Sequence, residues 1–288
     1  MDSGGSIYSA KYKSAISVPP LLWVSVLLFF PYLLLLGYSF WSIGPSQSIV
    51  HSWDLANYFE LLHKPMYLSV LLRSMRIAAS VTMLALLLGY PLAYFLSFHV
   101  TRRKSVLYQL VIIPLWVSYL VRGYAWKTIL GSDGVLNGLL QYLHLTSHPV
   151  EWLLYSPVAV ILTLTHIYTP FTFLPIYASL EHIPRRLIEA SHDLGAPPLR
   201  TFRKVILPLS LPGVLAGAVF AFVLSLGDFL APLLVGGPRG IMISNIVVSL
   251  FGAAFNWPLG AAISVVMMVI VVLLLFGAEK LEKRFSFT

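Results

Sequence analysis

What limits this chain most is where its charges are not. Ser14–Trp53, Ile77–Thr101, Trp152–Leu180, Val205–Gly227 and Gly240–Ala278 contain no Asp, Glu, Lys or Arg. A further apolar run opens at Ser105 and reaches about Leu130, with Arg122 and Lys127 near its far end. About 20 apolar residues in a helix cross the ~30 Å of a bilayer's hydrocarbon, and within lipid a helix satisfies its own backbone. The runs therefore predict six membrane-spanning helices, the first extending from Pro20 to near Trp41. Composition agrees: 58% of residues are hydrophobic and 10% charged, against roughly 25% charged in a soluble domain. The net charge of +8 comes from short basic clusters between apolar runs, not from the basic stripe of a nucleic-acid binder. With no cysteine, disulfides, thiolate metal sites and cysteine nucleophiles are excluded.

Six spans place both termini on one side, and the basic residues say which. Lys11, Lys13, Arg102–Lys104, Arg185, Arg186, Arg200, Arg203, Lys204, Lys280, Lys283 and Arg284 share the side of the termini. The opposite side holds Lys64 and Arg239, with Arg73, Arg76, Arg122 and Lys127 near span ends. Excess Lys and Arg marks the cytoplasmic side, so both termini are expected inside. Trp41, Trp53, Trp126, Trp152 and Trp257 fall near the outer boundary, as an aromatic belt requires. The first run is too long for a signal peptide and has no clear cleavage site, so it reads as a retained helix. Residues 1–10 read as disordered. No internal repeat suggests the paired halves of a secondary transporter.

The connection between the fourth and fifth spans carries a definite pattern. Pro184 suits the first turn of a helix and Gly195 its end, where a positive φ is often needed. Pro197 and Pro198 stop that helix and open another. Leu187, Ser191 and Leu194 share one face of the first; Leu199, Phe202 and Ile206 share one face of the second. Residues alone leave two readings open: a docking element, or an ordinary interfacial loop.

Glu189-Ala190-Ser191, Gly195 three residues later, and Val205-Ile-Leu-Pro208 after nine more resemble the EAA loop of ABC importer permeases, with Ser191 for Ala and Val205 for Ile. From about Tyr58 onward the chain further resembles the first permease subunit of spermidine/putrescine importers. The matching stretches are 88–94, 113–124, 189–196, 227–237 and 256–262. The resemblance implies an all-α, six-span permease with the type I ABC importer fold. Its coupling helix would dock on an ATPase through Glu189, Ala190, Ser191, Asp193, Gly195 and Pro208. It also implies four kinds of partner: a second permease, two ATPase copies, an extracytoplasmic solute-binding protein and membrane lipid. The expected location is the bacterial inner membrane. The implied divisions are a cytoplasmic tail (1–15), the first span with its external loop (16–67), the transmembrane domain (68–278, coupling loop 181–207) and a second tail (279–288). Since no G-x-x-x-x-G-K-[ST] loop occurs, this subunit is not expected to be an enzyme or to bind a cofactor; ATP and Mg belong to the ATPase. The implied solute is a polyamine or similar organic cation, with an opine or amino-acid derivative as the alternative.

For the solute path the candidates are Trp116, Tyr119, Arg122 and Asp228. Asp228 is the acid placed at a span. Such a residue faces a solute path, sits at the interface, or pairs with a base, here Arg73, Arg76 or Arg122. Trp116 and Tyr119 offer π faces to ammonium groups, although most aromatics in such a chain are bulk against lipid or a neighbouring helix. Arg122 would oppose a polyamine unless an acid neutralised it. Gly213, Gly217, Ala221 and Ser225 recur every fourth residue, the spacing of a close helix contact. His144 and His148 could share a metal by spacing but lack a third ligand, and no catalytic Ser/His/Asp group is spaced for use. A secondary transporter would call for repeat symmetry or several intramembrane charges, and a membrane enzyme for clustered acids, His or Ser at one depth.

Overall fold

The computed structural model describes residues 5–44 and 48–286. The chain begins with α1 (Gly5–Tyr38), which is helical across 5–10, where disorder was expected; residues 1–4 lie outside the described part. A two-residue hairpin follows, β1 (Ser42–Ile43) antiparallel to β2 (Ile49–Val50), with Ser42 opposite Val50. Next come α2 (Ala56–His63), α3 (Pro65–Phe98), α4 (Lys104–Trp116), α5 (Tyr119–Leu130) and α6 (Val135–Tyr142). Beyond them lie α7 (Pro157–Glu181), α8 (Arg185–Asp193), α9 (Pro198–Thr201) and α10 (Leu207–Gly227). The chain closes with α11 (Gly237–Gly240), α12 (Ile243–Phe251) and α13 (Trp257–Ser286).

Two compact units divide these elements: Met1–His63 with Ser249–Met268, and Lys64–Val248 with Val269–Thr288. In the first, Asn57 Nδ2 donates to the carbonyls of Ser39 (2.9 Å) and Trp41 (2.7 Å), and the Tyr58 hydroxyl donates to Ser39 Oγ (2.8 Å). These bonds fix the chain leaving α1 against α2.

The second unit is organised by α3, α7 and α10. The predicted small-residue row is buried along α10, at Gly213, Gly217, Ala221 and Ser225. A Cβ at Gly213 would lie 2.4 Å from the Pro175 carbonyl, and one at Gly217 3.0 Å from that of Thr172. Only glycine permits this approach of α10 to α7. Two apolar clusters flank the contact. One gathers Val81, Leu130, Val160 and Leu164; the other Ala93, Phe173, Ile176 and Ile206.

Five helices are long and apolar enough to cross a membrane unbroken. The sixth crossing is broken. The continuous third helix expected over 105–130 divides at Val117 and Ser118, both extended (ψ 135° and 138°), and the two limbs meet at 93°. With 13 residues, α4 reaches only ~20 Å at 1.5 Å per residue. Beyond the break α5 completes the crossing, since Leu130 packs beside Ala159 and Val160 near the start of α7.

The apolar run from Gly240 to Ala278 contains the last expected span, whose helix begins at Trp257. The preceding stretch folds as two limbs, Pro232–Gly240 and Ile243–Phe251, bent by 107°, each too short to cross. Ile243 N–H donates to Ser74 Oγ on α3 (2.8 Å), which holds the start of α12 against the α3–α7–α10 core.

Candidate functional site

Two places combine polar chemistry with a defined geometry. The first is the connection between α7 and α10. α8 stands largely exposed, and its end follows from hydrogen-bond completion. Gly195 adopts φ +73°. Its N–H donates to the His192 carbonyl (2.8 Å), and the Ala196 N–H to that of Ser191 (3.0 Å). This pair of bonds closes a Schellman motif around a left-handed glycine. The Ser191 and Thr201 hydroxyls then bond across the turn at 2.9 Å, a link that alanine at 191 could not make. The backbone motif and the Ser191–Thr201 bond together close this turn. The Glu189 carboxylate has no hydrogen bond among the described residues; it borders a cavity of about 250 Å³ with His99, Arg185 and Tyr94. Ala190 and Asp193 are exposed. Pro208 follows a π-helical turn, Phe202–Ile206, in which the Leu207 N–H reaches back five residues to Phe202.

The second place is a polar knot between spans. α10 ends where Asp228 turns extended (ψ 125°), and the carboxylate, 8% exposed, is fully engaged. Oδ1 accepts the N–H groups of Leu230 (2.9 Å) and Ala231 (3.0 Å), capping the next turn. Oδ2 accepts the hydroxyls of Tyr119 and, at 2.6 Å, Tyr168. The Asp228 carbonyl accepts Ser244 Oγ at 2.5 Å, and Asn245 Nδ2 donates to the Phe229 carbonyl at 2.7 Å. One aspartate therefore ties α5, α7, α10 and α12 together. Beside it lies a cavity of about 370 Å³ bordered by Tyr119, Tyr168, Gly227 and Phe229.

The sequence candidates divide accordingly. Tyr119 and Asp228 meet. The Arg122 guanidinium lies 5.7 Å from the Tyr119 ring centroid and forms no ion pair with Asp228; nor does Arg73 or Arg76, among the described residues. Trp116, 85% exposed, has no ring contact with the knot. Tyr168 and Ser244 escaped sequence reasoning. Tyr168 had left a signal, because a phenol in mid-span needs a partner and Asp228 is the acid available there.

The profile of the binding-protein-dependent transport system inner membrane components matches residues 85–286. The chain belongs to this family. The permease is 34% identical over 282 residues to the spermidine/putrescine transport system permease protein PotB of Salmonella typhimurium (strain SL1344), covering 96% of this chain and 98% of the relative. It is 36% identical over 274 residues to the inner membrane ABC transporter permease protein YdcU of Escherichia coli (strain K12), covering 91% and 87%. Its fold matches the crystal structure of a bacterial alginate ABC transporter in complex with an alginate pentasaccharide-bound periplasmic protein, with TM-score 0.75, 16% identity, and 97% and 96% coverage. Membership of this family replaces the secondary-transporter reading weighed above with that of a binding-protein-dependent transport component. The fold is that of type I ABC importer permeases.

Proposed function

We propose that this permease is one of two different permease subunits in an ATP-driven importer, and that it passes a polyamine handed over by an extracytoplasmic solute-binding protein. The observation that carries the reading is α8: an exposed helix with a rigidly closed end, inserted between two packed spans, in a chain of the permease family. Both termini and α8 lie in the cytoplasm on this reading, as the basic clusters require. An ATPase dimer binds ATP and Mg and docks on Glu189, Ala190, Ser191 and Asp193, with Gly195 and Pro208 shaping the support. Residues 1–15 and 279–288 are cytoplasmic tails, 16–67 the first span and external loop, and 68–278 the transmembrane domain.

The solute assignment follows the near full-length similarity to PotB and suits the knot. Asp228 is stabilised by neutral donors alone, so its negative charge is dispersed but not cancelled. A polycation entering a low-dielectric passage needs carboxylates, aromatic faces or water in place of its hydration. Asp228, though its oxygens are taken, lends the field of its carboxylate, Tyr119 and Tyr168 border the cavity beside it, and exposed Trp116 adds a further ring along the path.

The test is reconstitution of the permease pair, ATPase and binding protein in vesicles. ATP-dependent accumulation of labelled putrescine or spermidine is expected. Accumulation of a zwitterionic amino-acid derivative with no polyamine transport would overturn the solute assignment; uptake without ATP would overturn the whole reading.

A further inference from the structure

Arg122 presents an unmet electrostatic demand. It lies on α5, one turn beyond Tyr119, inside the broken span. Its Nε and Nη1 atoms are shut off from solvent and have no hydrogen-bond partner among the described residues. The electrons of the Tyr119 ring, 5.7 Å away, are what the guanidinium has for company on one side. On the next turn, Trp126 packs against His166 at 5.6 Å between centroids. A guanidinium cannot shed its charge by deprotonation, and closing off two of its nitrogens from water without a partner is unfavourable.

Among the described residues no acid pairs with Arg122. Asp228 is the acid at this depth, and both of its oxygens are taken by two amides and two phenols. Glu181 is engaged elsewhere, with both oxygens on Lys104 Nζ. A polyamine cannot supply the missing charge because it carries the same sign. Arg122 remains partly exposed while its neighbours Leu120, Val121 and Tyr124 present open apolar surface. A group from outside the chain can therefore reach it.

We infer that Arg122 is a docking point for a carboxylate carried by a span of the second permease subunit. The inference rests on the two-permease reading above. It also removes an electrostatic conflict: a guanidinium neutralised by a protein carboxylate no longer repels a polycation passing Asp228.

The test uses the whole complex, purified through a tag on this chain and measured without solute. Arg122→Gln should lower the amount of co-purified second permease by about ten-fold or more, as expected when the remaining partner of a buried pair is left unpaired. Arg122→Lys, which keeps the charge, should retain most of it. Each Asp and Glu in the spans of the second permease is then changed to Asn or Gln in the Arg122→Gln background. One such change should restore assembly to within about two-fold, because neutralising both members removes the unpaired charge. A variant that merely fails to fold would be rescued by none, and absence of rescue overturns the inference. So does full assembly of Arg122→Gln, or normal assembly with a defect confined to solute uptake. Mass spectrometry of the unaltered complex separates the two levels. A single permease species sinks the two-permease reading and this inference with it, whereas two species assembling regardless of Arg122 sink the inference alone.

Discussion

Removing the Asp228 carboxylate should release α5 and α7 from the end of α10 and uncap the turn that follows it. In Asp228→Ala the amides of Leu230 and Ala231 and the hydroxyls of Tyr119 and Tyr168 lose their acceptor. A buried donor left unsatisfied costs about 1–3 kcal/mol. The two phenols border the cavity and can turn to water, so the amides set the minimum, about 2–6 kcal/mol in total. Asp228→Asn keeps one oxygen for the amides and exchanges two charge-assisted bonds for neutral ones, which costs about 1–3 kcal/mol. Tyr119→Phe and Tyr168→Phe each remove one donor and leave the rest of the knot, at about 1 kcal/mol apiece. The expected order of damage is Asp228→Ala, then Asp228→Asn, then either phenylalanine variant. Thermal unfolding of the purified complex, followed by fluorescence-detected gel filtration, reads that order. Uptake per assembled complex should fall in Asp228→Asn while the binding protein keeps its solute affinity. An Asp228→Ala complex with unchanged yield and melting temperature would refute the reasoning, because four hydrogen bonds would then hold nothing.

Three further outcomes are expected. Gly213→Ala should reduce the yield of folded permease well below that of Gly217→Ala, since their added Cβ atoms would meet backbone oxygen at 2.4 and 3.0 Å; equal yields would mean the spans slide apart freely. Gly195→Val places a β-branched residue at φ +73°, a strain of about 1–2 kcal/mol; together with Glu189→Lys it should weaken ATPase association and uptake while membrane insertion stays normal, and intact uptake in both would reduce α8 to a surface loop. Cysteines introduced at Leu194 and Tyr142, 88% and 80% exposed, should be labelled from the cytoplasmic and external sides respectively, and labelling of Leu194→Cys from outside would invert the topology.

The spans and their order were legible because charge is excluded from hydrocarbon whatever the tertiary packing. The row from Gly213 to Ser225 and the turn at Gly195 were legible for a similar reason: close approach and positive φ are local demands that only small residues or glycine meet. The break in the third span was not. Val117 and Ser118 continue an apolar run, and hydropathy registers depth, not direction; Pro114 alone could equally sit in a gently kinked helix. The knot was half legible. An acid near a span demands partners, but charge attraction pointed to the arginines, whereas the structure solvates Asp228 with two nearby amides and with phenols from residues 60 and 109 positions away. Such partners are chosen by the packing of α5 and α7, which no local pattern specifies.

The break at Val117 and Ser118 has a mechanical consequence. At the start of α4, Lys104 Nζ grips both Glu181 oxygens at 2.7 and 2.6 Å, just where the chain leaves α7 for α8. A displacement at α8 therefore pulls directly on α4. Two extended residues, however, carry tension but almost no torque. α10 receives the same displacement as a continuous rod, whereas α4 can pivot beneath α5 while Tyr119 stays fastened to Asp228. The α4 half of the third span is thus a door, and its hinge is hung on a frame that need not move when the door does.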